Sequence, residues 1–187
     1  MVLSCRKADL DGVADVDPHG PLGHHNVLVA TQTFELTTRV DAEPSAVIDF
    51  LLDLTRHRGL HPFFVSAHVV ETGVDDEGPW TQWRVHERPR LGPFRYSIRF
   101  PARMLRSSGS SMVGTVRAAP GCSLVTTTRA ERVHGHTVLT ELTTVTAPLP
   151  LLGYMASQAR IAHARTYSLL PGEFAVDPDA AGAPNAH

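Results

Sequence analysis

Between Phe94 and Arg106 the chain reads FRYSIRFPARMLR, and its apolar residues fall at every second position: Phe94, Tyr96, Ile98, Phe100, Ala102 and Met104. Arg95, Ser97, Arg99, Pro101 and Arg103 lie between them. Side chains alternate across a strand, so this spacing predicts one strand with an apolar face and an arginine-bearing face. The apolar face must be covered by another layer, and the nature of that layer constrains the whole fold. Pro101 cannot donate to a β ladder, so a bulge or a sheet edge is expected there.

The remaining pattern supplies the partners. Phe34, Leu36, Thr38 and Val40 alternate within Thr33 to Asp41, which predicts a first strand. Pro44 suits the first turn of a helix, and Val47, Ile48, Phe50, Leu51 and Leu54 follow at helical spacing. A second short helical turn is expected over Arg56 to Leu60, ending at His61-Pro62. Strand patterns then follow over Val65 to Thr72, Trp80 to Glu87, Phe94 to Leu105, Met112 to Ala118, Ser123 to Val133 and Thr137 to Ala147, separated by Gly- and Pro-containing turns. A long helix is expected from Pro150 to Leu170, with Leu152, Met155, Ala159, Ala162 and Thr166 on one stripe and Gln158, Arg160 and Arg165 away from it. Residues 1–30 show no periodicity and read as a disordered leader. Residues 31–172 form one domain, and residues 173–187 read as a disordered tail.

The length of 187 residues and the 42% hydrophobic content suit one domain with a real core. A formal charge of -2 gives no general attraction to nucleic acid, and no nucleic-acid partner is expected. Cys5 and Cys122 do not make a disulfide framework. No apolar run is long enough to span a bilayer, and the expectation is a reduced, cytoplasmic protein.

Strand, two short helices, six-strand meander and long terminal helix: over Thr31 to Leu170 this order resembles the START-like helix-grip (SRPBCC) superfamily, which includes polyketide cyclase/dehydrase-like and lipid-transport-like proteins. The segment DAEPSAVIDFLLDLTRHRGLHPF carries the local likeness, through Pro44, Val47, Phe50, Leu51, Asp53, His57 and His61-Pro62. The resemblance implies an α+β fold with two short helices after the first strand. In it a seven-stranded curved antiparallel sheet wraps on a long C-terminal helix. It also implies a cavity between sheet and helix for a lipid, a polyketide or a related apolar molecule. An aromatase/cyclase-type enzyme is the alternative activity, and an interaction module like the quinone- or ribosome-associated relatives is a third.

Small residues support such a cavity: Ala156, Ala159, Ala162 and Ala164 on the helix, with Gly114, Ala118, Thr126, Thr128 and Ala130 on the strands. The same residues would also permit close helix–sheet packing without a void. Candidate lining residues are His57, His61, Trp83, Tyr96, Ile98, Phe100, Thr126, Thr128, Tyr154, Met155 and Ala159, with Thr140 also considered. Glu87 shares strand parity with Trp83. Near an apolar cavity its carboxyl would serve as an acid or base, whereas beside Arg84, Arg88 and Arg90 it would form a surface ion pair. His57 and His61 have the spacing of two metal ligands, but no third ligand is assignable and neither metal nor cofactor is expected; the pocket mouth or plain surface is their alternative position. Arg95, Arg99 and Arg103 would contact an anionic membrane surface, or form a solvated outer face partly neutralised by Glu131 and Glu141.

Overall fold

The computed structural model describes residues 28–175. Strand β1 (Val29–Val40) leads into helix α1 (Pro44–Leu52) and a 3-10 helix over Leu54–His57. Strands β2 (Phe64–Asp75) and β3 (Gly78–Glu87) follow, then a small hairpin of β4 (Arg90–Leu91) and β5 (Phe94–Arg95). The meander continues through β6 (Ile98–Ser108), β7 (Ser111–Ala119), β8 (Cys122–Val133) and β9 (His136–Pro148). Helix α2 (Leu149–Leu169) runs into a final 3-10 helix over Leu170–Phe174. The main sheet has seven strands in the order β1-β9-β8-β7-β6-β3-β2, all pairing antiparallel. This is the α+β helix-grip arrangement. Bulges in β2 between Phe64 and Ser66 and between Val69 and Glu71 add bend and twist at that edge.

The elements form where local chemistry favours them. Pro44 occupies the first turn of α1, and Val47, Ile48, Phe50 and Leu51 bury one face of it. Asp53 caps the following 3-10 turn, its Oδ1 accepting from the Thr55 backbone N–H at 3.0 Å and the Thr55 hydroxyl at 2.6 Å. On β9 the inward residues Leu139, Glu141, Thr143, Val145 and Ala147 alternate with outward ones. The β6–β7 ladder begins at Ala102↔Val116, so Pro101 lies just beyond its end, flanked only by Arg84 of β3. The proline sits at a local edge, as its missing donor requires.

The strand expected over Phe94 to Leu105 is broken in two. Gly92 takes φ +59° in the turn that pairs Phe94–Arg95 back on Arg90–Leu91, and the main ladder starts only at Ile98. Inward alternation holds for Phe100, Ala102 and Met104 but not for Phe94, which is 73% exposed.

At the ends, β1 begins at Val29, and the terminal 3-10 helix includes Glu173 and Phe174. Phe174 packs on Phe50 with ring centroids 5.4 Å apart, so the described start of the expected tail is anchored to the core through Phe174, while Glu173 is exposed. The rest of the expected leader and tail lies outside the described residues. Among the described residues no helix is long and apolar enough to cross a membrane.

Candidate functional site

Between the inner face of the sheet and α2 lies a cavity of about 240 Å³. Its walls are chiefly apolar: Val85, Ile98, Phe100, Ala102, Met104, Met112 and Val116 from the sheet, and Met155, Ala159 and Ala162 from the helix. Gly114 contributes space, and the nearest groups to a Cβ there would be the Met104 thioether and Thr126. Of the small residues, Gly114, Ala118, Thr126, Thr128, Ala159 and Ala162 border this volume, whereas Ala130, Ala156 and Ala164 pack into the hydrophobic core in close contact.

The cavity has two chemically distinct ends. At the outer end Tyr96 is 38% exposed and Tyr154 half-buried. The Tyr154 hydroxyl donates to the Arg90 carbonyl at 2.7 Å. Its hydrogen is thereby committed, so the Tyr96 hydroxyl donates to it across 3.1 Å. These two bonds fasten the β4–β5 hairpin to the first turns of α2. Burial and the bond to Tyr154 raise the Tyr96 pKa.

At the inner end α2 presents His163 and Tyr167, one turn apart, to Glu141 of β9. Glu141 is 5% exposed. Its Oε1 accepts from His163 Nδ1 at 2.6 Å and from the Thr143 hydroxyl at 2.9 Å. Thr143 thereby uses its only hydrogen, so the Thr126 hydroxyl, 3.0 Å away, donates to Thr143. The chain runs from Thr126 to Thr143 to Glu141, with His163 donating from the other side. Burial opposes charge on both Glu141 and His163, but their mutual attraction and hydrogen bond outweigh it. The carboxyl is held below its ordinary range and the imidazole above its own. The inner end is a buried imidazolium–carboxylate pair. The Tyr167 hydroxyl lies beside Glu141 and Thr128, buried, without a well-formed hydrogen bond to either.

A second histidine–carboxylate contact stands nearby. His61 Nε2 is 3.5 Å from Glu87 Oε1, and the His61 and His163 ring centroids are 6.3 Å apart. Burial pushes the Glu87 carboxyl up to about 7, partly opposed by His163. Burial, reinforced by His163 and His57, pushes His61 down to about 3. His57 falls to about 4, mainly through burial, although its Nε2 meets the Leu51 carbonyl at 3.1 Å. Near neutral pH His57 and His61 are uncharged, and Glu87 is poised between its two forms. Among the described residues no group of three His, Cys, Asp or Glu side chains is placed to hold a metal.

The structure brings most of the sequence candidates together: His57, His61, Tyr96, Ile98, Phe100, Thr126, Thr128, Tyr154, Met155 and Ala159 all line the cavity, as does Glu87. Trp83 does not. It faces inward but is packed in the hydrophobic core, with its indole N–H unpartnered. Thr140 also falls away from the cavity, because Glu141 takes the inward position beside it. Gln158, expected to point away, lines the wall. His57 and His61 are inside rather than on the surface, and Glu87 faces His61 rather than the neighbouring arginines. Glu141, expected to neutralise arginines on the outer face, is the buried acid of the inner end. The signal for it was available: Glu141 shares parity with Leu139 and Val145, and His163 follows Ala159 by four residues.

The arginines do not form a single row. Arg95 belongs to the small hairpin and Arg99 to the exposed face of β6. Arg103 is paired with Asp75 and sits 4.8 Å over the Trp80 ring.

No protein-family model and no curated protein matches this sequence. Solved structures do match in fold. The chain is similar to the Zhui aromatase/cyclase from Streptomyces sp. R1128, at 14% identity over 76% of this chain and 93% of that one, with a TM-score of 0.62. It is similar to a START superfamily protein from Mycobacterium smegmatis, at 14% identity over 76% and 96% of the two chains, with a TM-score of 0.59. Ara h 8.0201 gives 15% identity over 78% and 98%, with a TM-score of 0.57. At such identities the likeness shows the START-like helix-grip fold.

Proposed function

We propose that this protein binds a small, mostly apolar molecule between its sheet and α2. The observation that supports the reading is the cavity of about 240 Å³, apolar along its walls and polar at its inner end. Burial of guest surface supplies the driving force, about 25 cal/mol per Å² of apolar area removed from water. The few polar groups set orientation. The test is native mass spectrometry of protein purified from its own host, beside the Ala159→Trp variant. A copurified small molecule present on the parent and absent from the folded variant supports the reading. A parent with no guest, or a variant that holds the guest equally well, overturns it.

A second reading is an aromatase/cyclase-type enzyme, the activity named for one structure of the same fold. The specific support is Glu87, whose carboxyl, with its pKa pushed up to about 7, lines the cavity beside the neutral His61 imidazole. A carboxyl with a pKa near the working pH is suited to accept or give a proton. Turnover of a cyclisable poly-β-keto mimic that falls in Glu87→Gln, with binding intact, distinguishes this reading from simple carriage. Unchanged turnover removes Glu87 from the chemistry.

A further inference from the structure

We propose that the inner end of the cavity is a subsite for a carbonyl or phenolic oxygen of the guest, taken by the Nε2–H of His163 and the neighbouring hydroxyls of Tyr167 and Thr128. The proposal deepens the binding reading and rests on it.

Three observations carry it. First, His163 commits Nδ1 to Glu141, so Nε2 is the nitrogen left for a guest, and no described residue bonds it. Second, the Tyr167 hydroxyl is buried beside Glu141 and Thr128 without a well-formed hydrogen bond to either, in a residue only 3% exposed. A buried unpaired hydroxyl is costly, and such a group in a native structure calls for a reason. Third, the direction of the hydrogen bonds makes the inner end rich in donors. Thr126 and Thr143 both point their hydrogens toward Glu141, whose carboxylate is already occupied by Thr143 and His163. What remains on offer is the outward edge of an imidazolium and two hydroxyls. An oxygen with lone pairs, at the end of an otherwise apolar molecule, complements that set. An ammonium would face the imidazolium at short range and find the acid already engaged. A bare hydrocarbon would leave the donors unpaired.

The arrangement also explains the ion pair. Glu141, 2.6 Å from Nδ1, fixes the His163 ring and holds it as an imidazolium, whose second hydrogen sits on Nε2 toward the guest; a neutral ring bonded to Glu141 through Nδ1–H would offer a lone pair there instead. His163 and Tyr167 lie one helical turn apart on α2, the spacing that lets two side chains meet one atom.

The test uses the full chain and two probes of nearly equal shape, 2-acetylnaphthalene and 2-ethylnaphthalene, with affinities read by fluorescence titration. The ketone is expected to bind about tenfold more tightly, the usual size of a hydrogen bond to a charged donor. Its 13C-labelled carbonyl stretch should lie at lower frequency on the protein than in hexane. In His163→Leu/Glu141→Leu, which removes both halves of the ion pair, the preference should disappear and the stretch should return toward its hexane position. Tyr167→Phe, a near-isosteric change, should lower the preference without abolishing it. Equal affinities with a hexane-like stretch overturn the oxygen subsite and leave the cavity reading standing. A preference that survives the double variant overturns the assignment to His163. Failure of both probes to bind overturns both readings.

Discussion

His163→Leu should leave Glu141 as an uncompensated acid inside the protein. In the parent, Glu141 is 5% exposed and held by two donors, His163 Nδ1 at 2.6 Å and Thr143 Oγ1 at 2.9 Å. Removing one member of a buried pair costs about 3–5 kcal/mol. The Thr143 bond survives and the cavity adjoins the acid, so the lower end applies, about 3 kcal/mol against a typical domain stability of about 5–15 kcal/mol. The double variant His163→Leu/Glu141→Leu removes both charges and should recover to within about 1 kcal/mol of the parent.

The deficit of the single variant should also depend on pH. In the parent, the depressed Glu141 pKa gives stability that is present above the unfolded value near 4.3 and lost as pH falls through the folded value. The elevated His163 pKa gives stability present below about 6.5 and lost as pH rises through its folded value. Without His163, burial outweighs the remaining Thr143 hydrogen bond and raises the Glu141 pKa. The folded state then holds a proton that the unfolded chain releases, so stability falls with rising pH by up to about 1.4 kcal/mol per unit. Urea titrations at about pH 5, 6 and 7, followed through tryptophan fluorescence, read this directly. A deficit that is absent near neutrality, or that stays flat across that range, refutes the buried ion pair.

Other consequences are equally open to measurement. Glu87 is raised to about 7 by burial, so the folded state keeps a proton that the unfolded chain releases, and stability falls as pH rises from about 4.3 to about 7 and levels off above. Glu87→Gln should therefore gain on the parent by roughly 3 kcal/mol between about pH 4 and pH 8 in urea titrations; a constant difference contradicts the burial argument. Phe174→Ala should cost about 2 kcal/mol through the lost packing on Phe50, visible as a lower Tm, whereas a disordered tail would show no change. Gly78→Ala should cost about 2 kcal/mol, because the position has φ +132° and a Cβ would overlap the Arg106 carbonyl oxygen. An unchanged midpoint there would contradict the tight β2–β3 turn.

The layers of this fold were legible in the sequence because each rests on local periodicity. Phe100, Ala102 and Met104 alternate without interruption, and Val47, Ile48, Phe50 and Leu51 recur at helical spacing, so inward faces follow from the pattern alone. The pattern failed where the chain leaves the ladder while alternation continues: Phe94 keeps its parity in letters, but Gly92 folds it into a separate hairpin, while Tyr96 beyond it still reaches the cavity. The apolar cavity wall was likewise readable from small residues on α2. Its charged inner end was harder to read: the parity of Glu141 with Leu139 and Val145 points it inward, but its pairing with His163 arises only when α2 stacks on β9. Glu87 was ambiguous for a related reason. Three arginines are its neighbours in sequence, but His61, across the fold, is its neighbour in space.

The first and last strands are partners. Val29 stands opposite Pro148 and Val40 opposite Thr137, with everything between them in sequence folded in the interval. Closing so long a loop defers its reward until most of the chain is in place, which slows folding. On the ribosome, β1 must wait for β9, its ladder partner. A nascent chain cut short before Leu149 lacks the helical wall of the cavity, so the enclosed space exists only once α2 has docked.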